Sequence, residues 1–551
     1  MSELKIRCKN NGRTIRMPFG GTLYDAYEHS GLELEHGPVC AYVNNKAQGM
    51  NYRFYNSKDV QFLTLRDASG MRAYRRSLFL VLAKAVEDCF PGGELTIAAT
   101  VSHGYYCTLS IGRPVEDGDA EVLLRRMHEI VEASMYIHRI QCPVEEAIEM
   151  FRQRGMESKV QLLETVDSLY TYYYKLGDTI DYFYGCLLTR TDQLKVFNLL
   201  KFHDGLLLLP PRQDDPSQLE EMVEQTKMLE VVREHQRWQK ILGMSTVGEF
   251  NKAVAAGRAT ELINVSEALQ EKKLSQMADD ITARGARLVL LAGPSSSGKT
   301  TTAKRLAILL MACGLRPHTI STDDYFVNRV DTPRDANGEY DFECIGAVDT
   351  ALFNQQMNAL LRGEEVELPR YDFPTGRRVF EGNRLSIGPT DVILLEGNHA
   401  LNPLLSEQVP EEQKYRVFVS AVTTIQLDDH NFIATKDIRL LRRILRDYKY
   451  RGFSAVETIH RCPSVSAGEE KWIFPYQEFA DATFNSALLY EFGVMREQVM
   501  PILEQVPERA PEYAEATRLR KFLHYFRSIP GDQVPPTSLL REFAGGSSFR
   551  Y

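Results

Sequence analysis

The spacing of apolar positions changes along the chain, and each change marks an element. Short alternating runs over residues 5–7, 14–17, 41–44 and 60–64 predict strands. Gly20-Gly21 reads as a turn, and Thr22 as the N-cap of a short helix after it. From 71 to 88 the apolar period turns helical, and Cys89-Phe90-Pro91-Gly92-Gly93 stops it. Strands at 95–100 and 105–111, a helix near 120–133, the tyrosine run 170–174 and a strand-like 195–200 fill a second unit. Pro210-Pro211-Arg212-Gln213-Asp214-Asp215-Pro216 reads as a linker. Ser217-Gln218-Leu219-Glu220 has the form of a capping box, which predicts a helix from there to Leu242, ended by Gly243. Helical pattern then continues to about 283.

The sharpest chemistry follows. The apolar run 287–292 is a buried-strand pattern that leads straight into Gly293-Pro294-Ser295-Ser296-Ser297-Gly298-Lys299-Thr300, and helical spacing continues from Thr301 to a stop at Gly314. This is the complete G-x-x-x-x-G-K-[ST] phosphate-binding loop. Its glycines let backbone amides turn inward, and the helix N-terminus adds positive charge. The loop assigns Gly293 to Thr301 to ATP, with Lys299 on the β- and γ-phosphates and Thr300 on Mg²⁺. A second strand at 318–321 ends in Thr322-Asp323-Asp324-Tyr325-Phe326, where a carboxylate faces the crevice at the strand ends. Asp323 there reaches both the metal shell and an acceptor hydroxyl, the position of a general base. Residues 391–396 form a third apolar strand that ends on Glu396, a Walker-B-like acid near the metal. An amphipathic basic helix over 439–452 puts Leu440, Leu441, Ile444 and Leu445 on one face and arginines on the other. That arginine face reads as solvated surface, as an RNA-binding face, or as a lid closing on phosphate.

Composition narrows the class without pointing to chemistry. The 551 residues are 44% hydrophobic and 25% charged, the balance of a globular chain. Sixty-five Lys and Arg against 74 Asp and Glu give −9, which disfavours nucleic acid as the main partner. The longest apolar stretches, 78–83 and 205–210, fall well short of the roughly 18 residues of a membrane span. The first residues carry no signal-like apolar core, and nine cysteines include no C-x-x-C pair, so the expectation is a cytoplasmic chain with reduced thiols and no membrane partner. Assembly with further copies is left open.

The phosphate loop, the D-D-Y-F box, the strand ending in E-G and Arg442-Arg443-Ile444-Leu445-Arg446-Asp447 with Arg451-Gly452 stand in an order that resembles the uridine kinase and phosphoribulokinase family over about 286–500. Pro369-Arg370-Tyr371-Asp372-Phe373-Pro374-Thr375 is similar to that family's acceptor box. The resemblance implies ATP- and Mg²⁺-dependent transfer to the 5′-hydroxyl of a nucleoside-like small molecule. It implies Asp323 as base, Tyr325, Glu343, Tyr371 and Phe373 as acceptor contacts, Glu396 in the metal shell, and Arg446 and Arg451 as lid arginines. Gly376 stands where uridine–cytidine kinases have a base-reading histidine, Phe453 where they have an arginine, and Arg461 near a base-contacting glutamine.

Residues 1–65 resemble a TGS domain through Gly21-Thr22-Leu23 and Val43-Asn44-Asn45, and residues 66–215 resemble the editing domain of threonyl-tRNA synthetase. The positions of that domain's H-x-x-x-H and C-x-x-x-H read Arg76 and Leu80, then Phe183 and Leu187, so no editing activity is expected. His103 and Cys107 lie near the same pocket and read as structural. The whole resembles bacterial fusion proteins with a synthetase-like front half. The expected fold is a multidomain α/β chain: β-grasp-like TGS domain (1–65), α+β editing-like domain (66–215), helical connector (216–285), parallel-sheet P-loop kinase (286–525) and a tail (526–551). Leu539, Leu540 and Phe543 suggest a helical turn that docks. A sugar or sugar-phosphate kinase is the second expectation, with Arg377-Arg378 as phosphate contacts, and an ATP-gated RNA- or ribosome-associated switch is the third.

Overall fold

A parallel sheet with a phosphate loop at its centre organises the C-terminal half of the computed structural model, which describes residues 3–334, 338, 340–423 and 425–551. Its strands are β1 (Leu288–Ala292), β2 (Arg316–Ser321), β3 (Asp391–Glu396), β4 (Lys414–Ser420) and β5 (Ala482–Asn485), in the order β2-β3-β1-β4-β5. All neighbours are parallel. β1 and β3 bury nearly every side chain, which is why they read as continuous apolar runs. The strand order reverses between β1 and β4, so the loop after β1 opens into a crevice at the carboxyl ends of the strands. Around the sheet lie α1 (Lys299–Ala312), α2 (Thr435–Arg446), α3 (Ala455–Trp472) and α4 (Glu491–Glu504). A two-stranded hairpin, Val366–Asp372 against Arg377–Leu385, projects beside the crevice.

The first half keeps the predicted order of elements. A sheet ordered Thr14–Met17, Leu4–Cys8, Lys58–Leu63, Cys40–Val43, Lys46–Gly49 carries the helix Leu23–Ser30, and Thr22 and Asp25 close its capping box. The second unit packs the helix Ala68–Cys89 on a sheet ordered Asn198–Phe202, Gly205–Leu209, Gly104–Ser110, Glu94–Val101. The strand-like 195–200 overlaps the first strand of its last hairpin, Asn198–Phe202, while the returning strand and the helices Val144–Gln153 and Glu157–Thr165 lie outside the predicted elements. The apolar run in Gly205–Leu209 is too uniform to show a period.

Two expectations need correction. The connector helix starts at Thr226 and not at Ser217. The Ser217 hydroxyl donates to Asp215 Oδ1 (2.6 Å) and Glu220 N–H donates to Pro210 O (3.0 Å), so the capping-box residues build a turn instead. The arginines of α2 do not form a solvated face. Arg439, Arg442 and Arg443 are buried, and their charges are met by Glu469 of α3 and Glu491 of α4.

The two halves share one core, because apolar side chains from Cys142 to Ala544 pack continuously. A hairpin of the C-terminal half, Gln426–Asp428 with Asn431–Phe432, enters the second N-terminal unit just before α2. There the Phe432 ring lies 6.0 Å from Phe79 and 5.3 Å from Tyr105. Lys159 bridges Asp181 (3.0 Å) and Asp428 (3.2 Å), and His430 Nδ1 sits 2.6 Å from Asp181 Oδ2. The predicted tail turn does dock: Leu539, Leu540 and Phe543 are fully buried.

Candidate active site

The loop after β1 is shaped by close backbone approach. A Cβ at Gly293 would stand 2.1 Å from the Val419 carbonyl oxygen, and Gly298 takes φ +86° at the start of α1. Lys299 Nζ donates to the loop's own carbonyls, Gly293 O (2.8 Å) and Pro294 O (3.2 Å). Thr300 Oγ1 donates to Glu396 Oε1 (3.2 Å). The hydroxyls of Ser296 and Ser297 are buried in the loop without a hydrogen-bond partner.

β2 and β3 deliver the acids. Enclosure pushes the Glu396 carboxyl above the usual range, with Lys299 pulling it back and Asp323 adding to the rise. Asp323 stands on the crevice wall, reached by solvent on one side. Enclosure on the others raises its carboxyl against the pull of Lys299. The same enclosure lowers the Lys299 ammonium, and Glu396 and Asp323 counter it. These three side chains therefore form one electrostatic unit around the loop.

Two acids that sequence reasoning missed sit on the loop's amides. Ser295 N–H donates to Glu469 Oε1 (2.9 Å), and the same oxygen accepts from Arg439 Nη1 (2.7 Å). Thr301 donates to Glu542 Oε2 through both its N–H (3.2 Å) and its hydroxyl (2.6 Å), and the Tyr551 hydroxyl is 2.8 Å away. Leu539 closes on Gly298, where an added Cβ would meet Leu539 Cδ2 at 2.7 Å. Phe543 lies under the Arg442 guanidinium at 5.2 Å. Carboxylates of this chain thus compensate the amide nest. Only the apolar spacing of Leu539, Leu540 and Phe543 hinted at the tail, and nothing local marked Glu469.

The acceptor-side residues separate. Tyr325 is not presented to the crevice: it is fully buried and its hydroxyl donates to Gln356 Oε1 (2.8 Å). Tyr371 is buried with its hydroxyl unpartnered, and Phe373 stands 5.1 Å from it, 56% exposed. Glu343 accepts a long bond from Asn398 Nδ2 (3.4 Å), and burial and Glu469 raise its carboxyl. His399, also missed, lies against the Glu343 backbone with neither ring nitrogen in hydrogen-bond geometry, and burial pushes it down to about 4. It follows Glu396-Gly397-Asn398, so the strand-terminal acid was the signal that could have found it. Arg446 and Arg451 both turn to Asp447 (2.9 and 3.6 Å) and touch no loop residue.

The departures from the acceptor pattern have structural counterparts. Gly376 takes φ +68°, and a side chain there would collide with Arg329 at 2.7 Å. Arg329 Nη2 instead donates to Phe373 O (2.5 Å). Phe453 and Arg461 pair with each other, the guanidinium 4.3 Å from the ring centroid.

Residues 288–488 match the model of the Phosphoribulokinase / Uridine kinase family. That segment is a P-loop domain similar to that family's. Solved structures similar to the chain include one described as a possible uridine kinase from Bacillus stearothermophilus (17% identity, 39% of this chain, 98% of that one, TM-score 0.27). Another is a D-glycerate 3-kinase from Cryptococcus neoformans (15%, 37%, 89%, TM-score 0.25). The N-terminal region is similar to threonine–tRNA ligases. The Marinobacter nauticus protein is 29% identical over 181 residues, covering 33% of this chain and 28% of that protein. The Methylococcus capsulatus protein is 30% identical over 185 residues, with the same shares. The chain therefore spans under a third of the length of these curated relatives.

At the former editing positions of this synthetase-like region, Leu80, Phe183 and Leu187 are core residues, and Arg76 lies 5.8 Å from the Tyr184 ring. Cys107 is fully buried and its thiol is pushed up by burial, while His103 occupies a turn at φ +63°. Among the described residues, no group of three or more His, Cys, Asp and Glu is arranged to hold a metal, and no helix is long and apolar enough to cross a membrane.

Proposed function

We propose that the protein transfers the γ-phosphoryl group of ATP to the primary 5′-hydroxyl of a nucleoside. The observation that carries this reading is the placement of Asp323, on the crevice wall and electrostatically coupled to both Lys299 and Glu396. A carboxyl raised by its surroundings is a better proton acceptor for an alcohol than an ordinary surface aspartate. Lys299, released from Gly293 O and Pro294 O, would hold the β- and γ-phosphates. Mg²⁺ fits a site of Thr300, Glu396 and Asp323, since that ion takes few protein carboxylates and completes its shell with phosphate oxygens and water. It would neutralise charge on the phosphates. Arg446 and Arg451, swung from Asp447, would complete the lid.

The acceptor would enter beside Tyr371, Phe373, Glu343 and His399, with Tyr325 supporting from the core. The nucleoside assignment is tested by ADP release with ATP and Mg²⁺ across ribo- and deoxyribonucleosides, pentoses and pentose phosphates, with Asp323→Asn as the blank. Turnover with a nucleoside supports the reading, and turnover with sugars alone replaces it with a sugar kinase. Gly376 and the Phe453–Arg461 pair favour that second reading, because they remove polar contacts that would recognise a base. Arg378, committed to Asp349 (2.8 Å), weakens it.

A further inference from the structure

Around Gly185, beside the positions expected to match the synthetase's editing residues, three cations stand without acids. Arg76 points over Gly185, where an added Cβ would meet its Nη1 at 2.4 Å, so the glycine makes the room the guanidinium fills. Arg139 stacks on the Tyr172 ring at 3.8 Å. Lys521 lies on the helix Tyr513–His524, one turn from both Arg518, whose carbonyl accepts the Tyr184 hydroxyl, and Tyr525, whose ring is 5.7 Å from that of Tyr184. Among the described residues, none of the three makes a hydrogen bond or an ion pair with an acid.

Neighbouring charges, by contrast, are matched. Arg72 and Arg518 meet Glu515 (3.1 and 2.6 Å), Arg518 also meets Asp437 (2.6 Å), and Lys46 meets Glu508 (3.6 Å). The group at the centre is Cys186. Its thiol is drawn down to about 6, first by a hydrogen bond from the Cys40 thiol and then, against burial, by Arg76 and Arg139. Arg76, Arg139 and Lys521 thus stand around this thiol with no carboxylate of their own, among the described residues.

We propose that Arg76, Arg139 and Lys521 form a binding site for a phosphate monoester dianion. A dianion suits three cations that lack acids, and planar guanidinium groups suit paired oxygens of one phosphate. The Tyr172 hydroxyl oxygen already accepts Gly185 N–H (3.1 Å), so its own proton is free to donate to the anion. A phosphate monoester is also what the kinase reading above would produce, and this link alone rests on that reading. Tyr184 is tied to the C-terminal half through its N–H to Asn431 Oδ1 (3.0 Å), four residues before α2 begins at Thr435.

The test is calorimetric titration of the full-length Lys299→Ala protein, whose phosphate loop is disabled, with uridine 5′-monophosphate, inorganic phosphate and acetate. The expected result is one site that prefers either phosphate to acetate by about tenfold or more, as charge-assisted dianion contacts would give. Arg139→Gln and Lys521→Gln, both at exposed positions, should each weaken it by about fivefold. Wild-type protein should show this site in addition to its loop site, which covers the case of a misfolded Lys299→Ala. Titrations unchanged by Arg139→Gln and Lys521→Gln would overturn the proposal, as would a short RNA binding through these residues when the free phosphates do not. The readout is binding with the loop disabled, so it stands or falls separately from kinase turnover.

Discussion

Asp323 and Glu542 place opposite demands on the same loop. If Asp323 takes the acceptor proton, Asp323→Asn should lower kcat by roughly 10²–10⁴-fold while leaving ATP affinity within a few-fold, measured by initial rates and by nucleotide titration. Its carboxyl is raised in the folded protein, so activity should climb with pH through a value above the ordinary carboxylate range; an acid limb at an unshifted position would refute the base assignment. Glu542 acts at the other end. Its carboxylate holds the Thr301 amide and hydroxyl, groups that face phosphate in any loop of this form. Glu542→Gln removes a negative charge from the cradle and should tighten ATP binding by about three- to tenfold, corresponding to roughly 1 kcal/mol. Equal affinity in the variant and the wild type would show that the contact does not compete with nucleotide.

Helix α2 shows what a buried ion pair does for an element. Arg442 and Glu491 are both fully buried (2.8 Å), and Arg442 also donates to Ser486 O (2.8 Å). Replacing Arg442 by Met strands Glu491, and the expected cost is about 3–5 kcal/mol by denaturant titration. Adding Glu491→Leu should recover part of it. The amphipathic period of α2 was legible because Leu441, Ile444 and Leu445 repeat at helical spacing. The fate of its arginines was not, since their acids lie on α3 and α4, and no local pattern announces a partner tens of residues away. The same reason separates the phosphate loop, complete in eight consecutive residues, from Glu469, which becomes a site residue only through packing. Ser217-Gln218-Leu219-Glu220 failed in the other direction: its capping chemistry is real, but Asp215 and Pro210 took the bonds that a helix would have used.

At the scale of the whole molecule, the synthetase-like half grips the kinase half where α2 begins. Phe432→Ala should loosen that grip by roughly 1–3 kcal/mol and lower kcat more than it changes the KM for ATP, because the hairpin leads into α2, which carries Arg446, and not into the loop. Glu515 is a second clasp between the halves. Burial opposes its charge, but Arg518 and Arg72 outweigh burial and hold it down to about 2, against 4.5 for an ordinary glutamate. A depressed carboxyl contributes stability above its unfolded value and loses it as the pH falls toward the folded one. The junction should therefore weaken between about pH 4.5 and 2, seen as new proteolytic cuts near residue 515, and Glu515→Gln should show those cuts already at neutral pH.

The docked tail also has a consequence for how the protein is made. Glu542 lies 241 residues after Thr301, so the cradle and the acid that compensates it leave the ribosome far apart in time. At about 5–20 residues per second that interval is roughly 10–50 s. Once β3, β4 and Glu469 have also been made, the growing chain carries a phosphate loop whose α1 amides still have no partner from the tail. Cellular nucleotide, which is abundant and would meet no competing carboxylate from the tail at that stage, would be the first occupant of the nascent site. The last stretch of synthesis would then be a contest in which the tail must displace a ligand that arrived first.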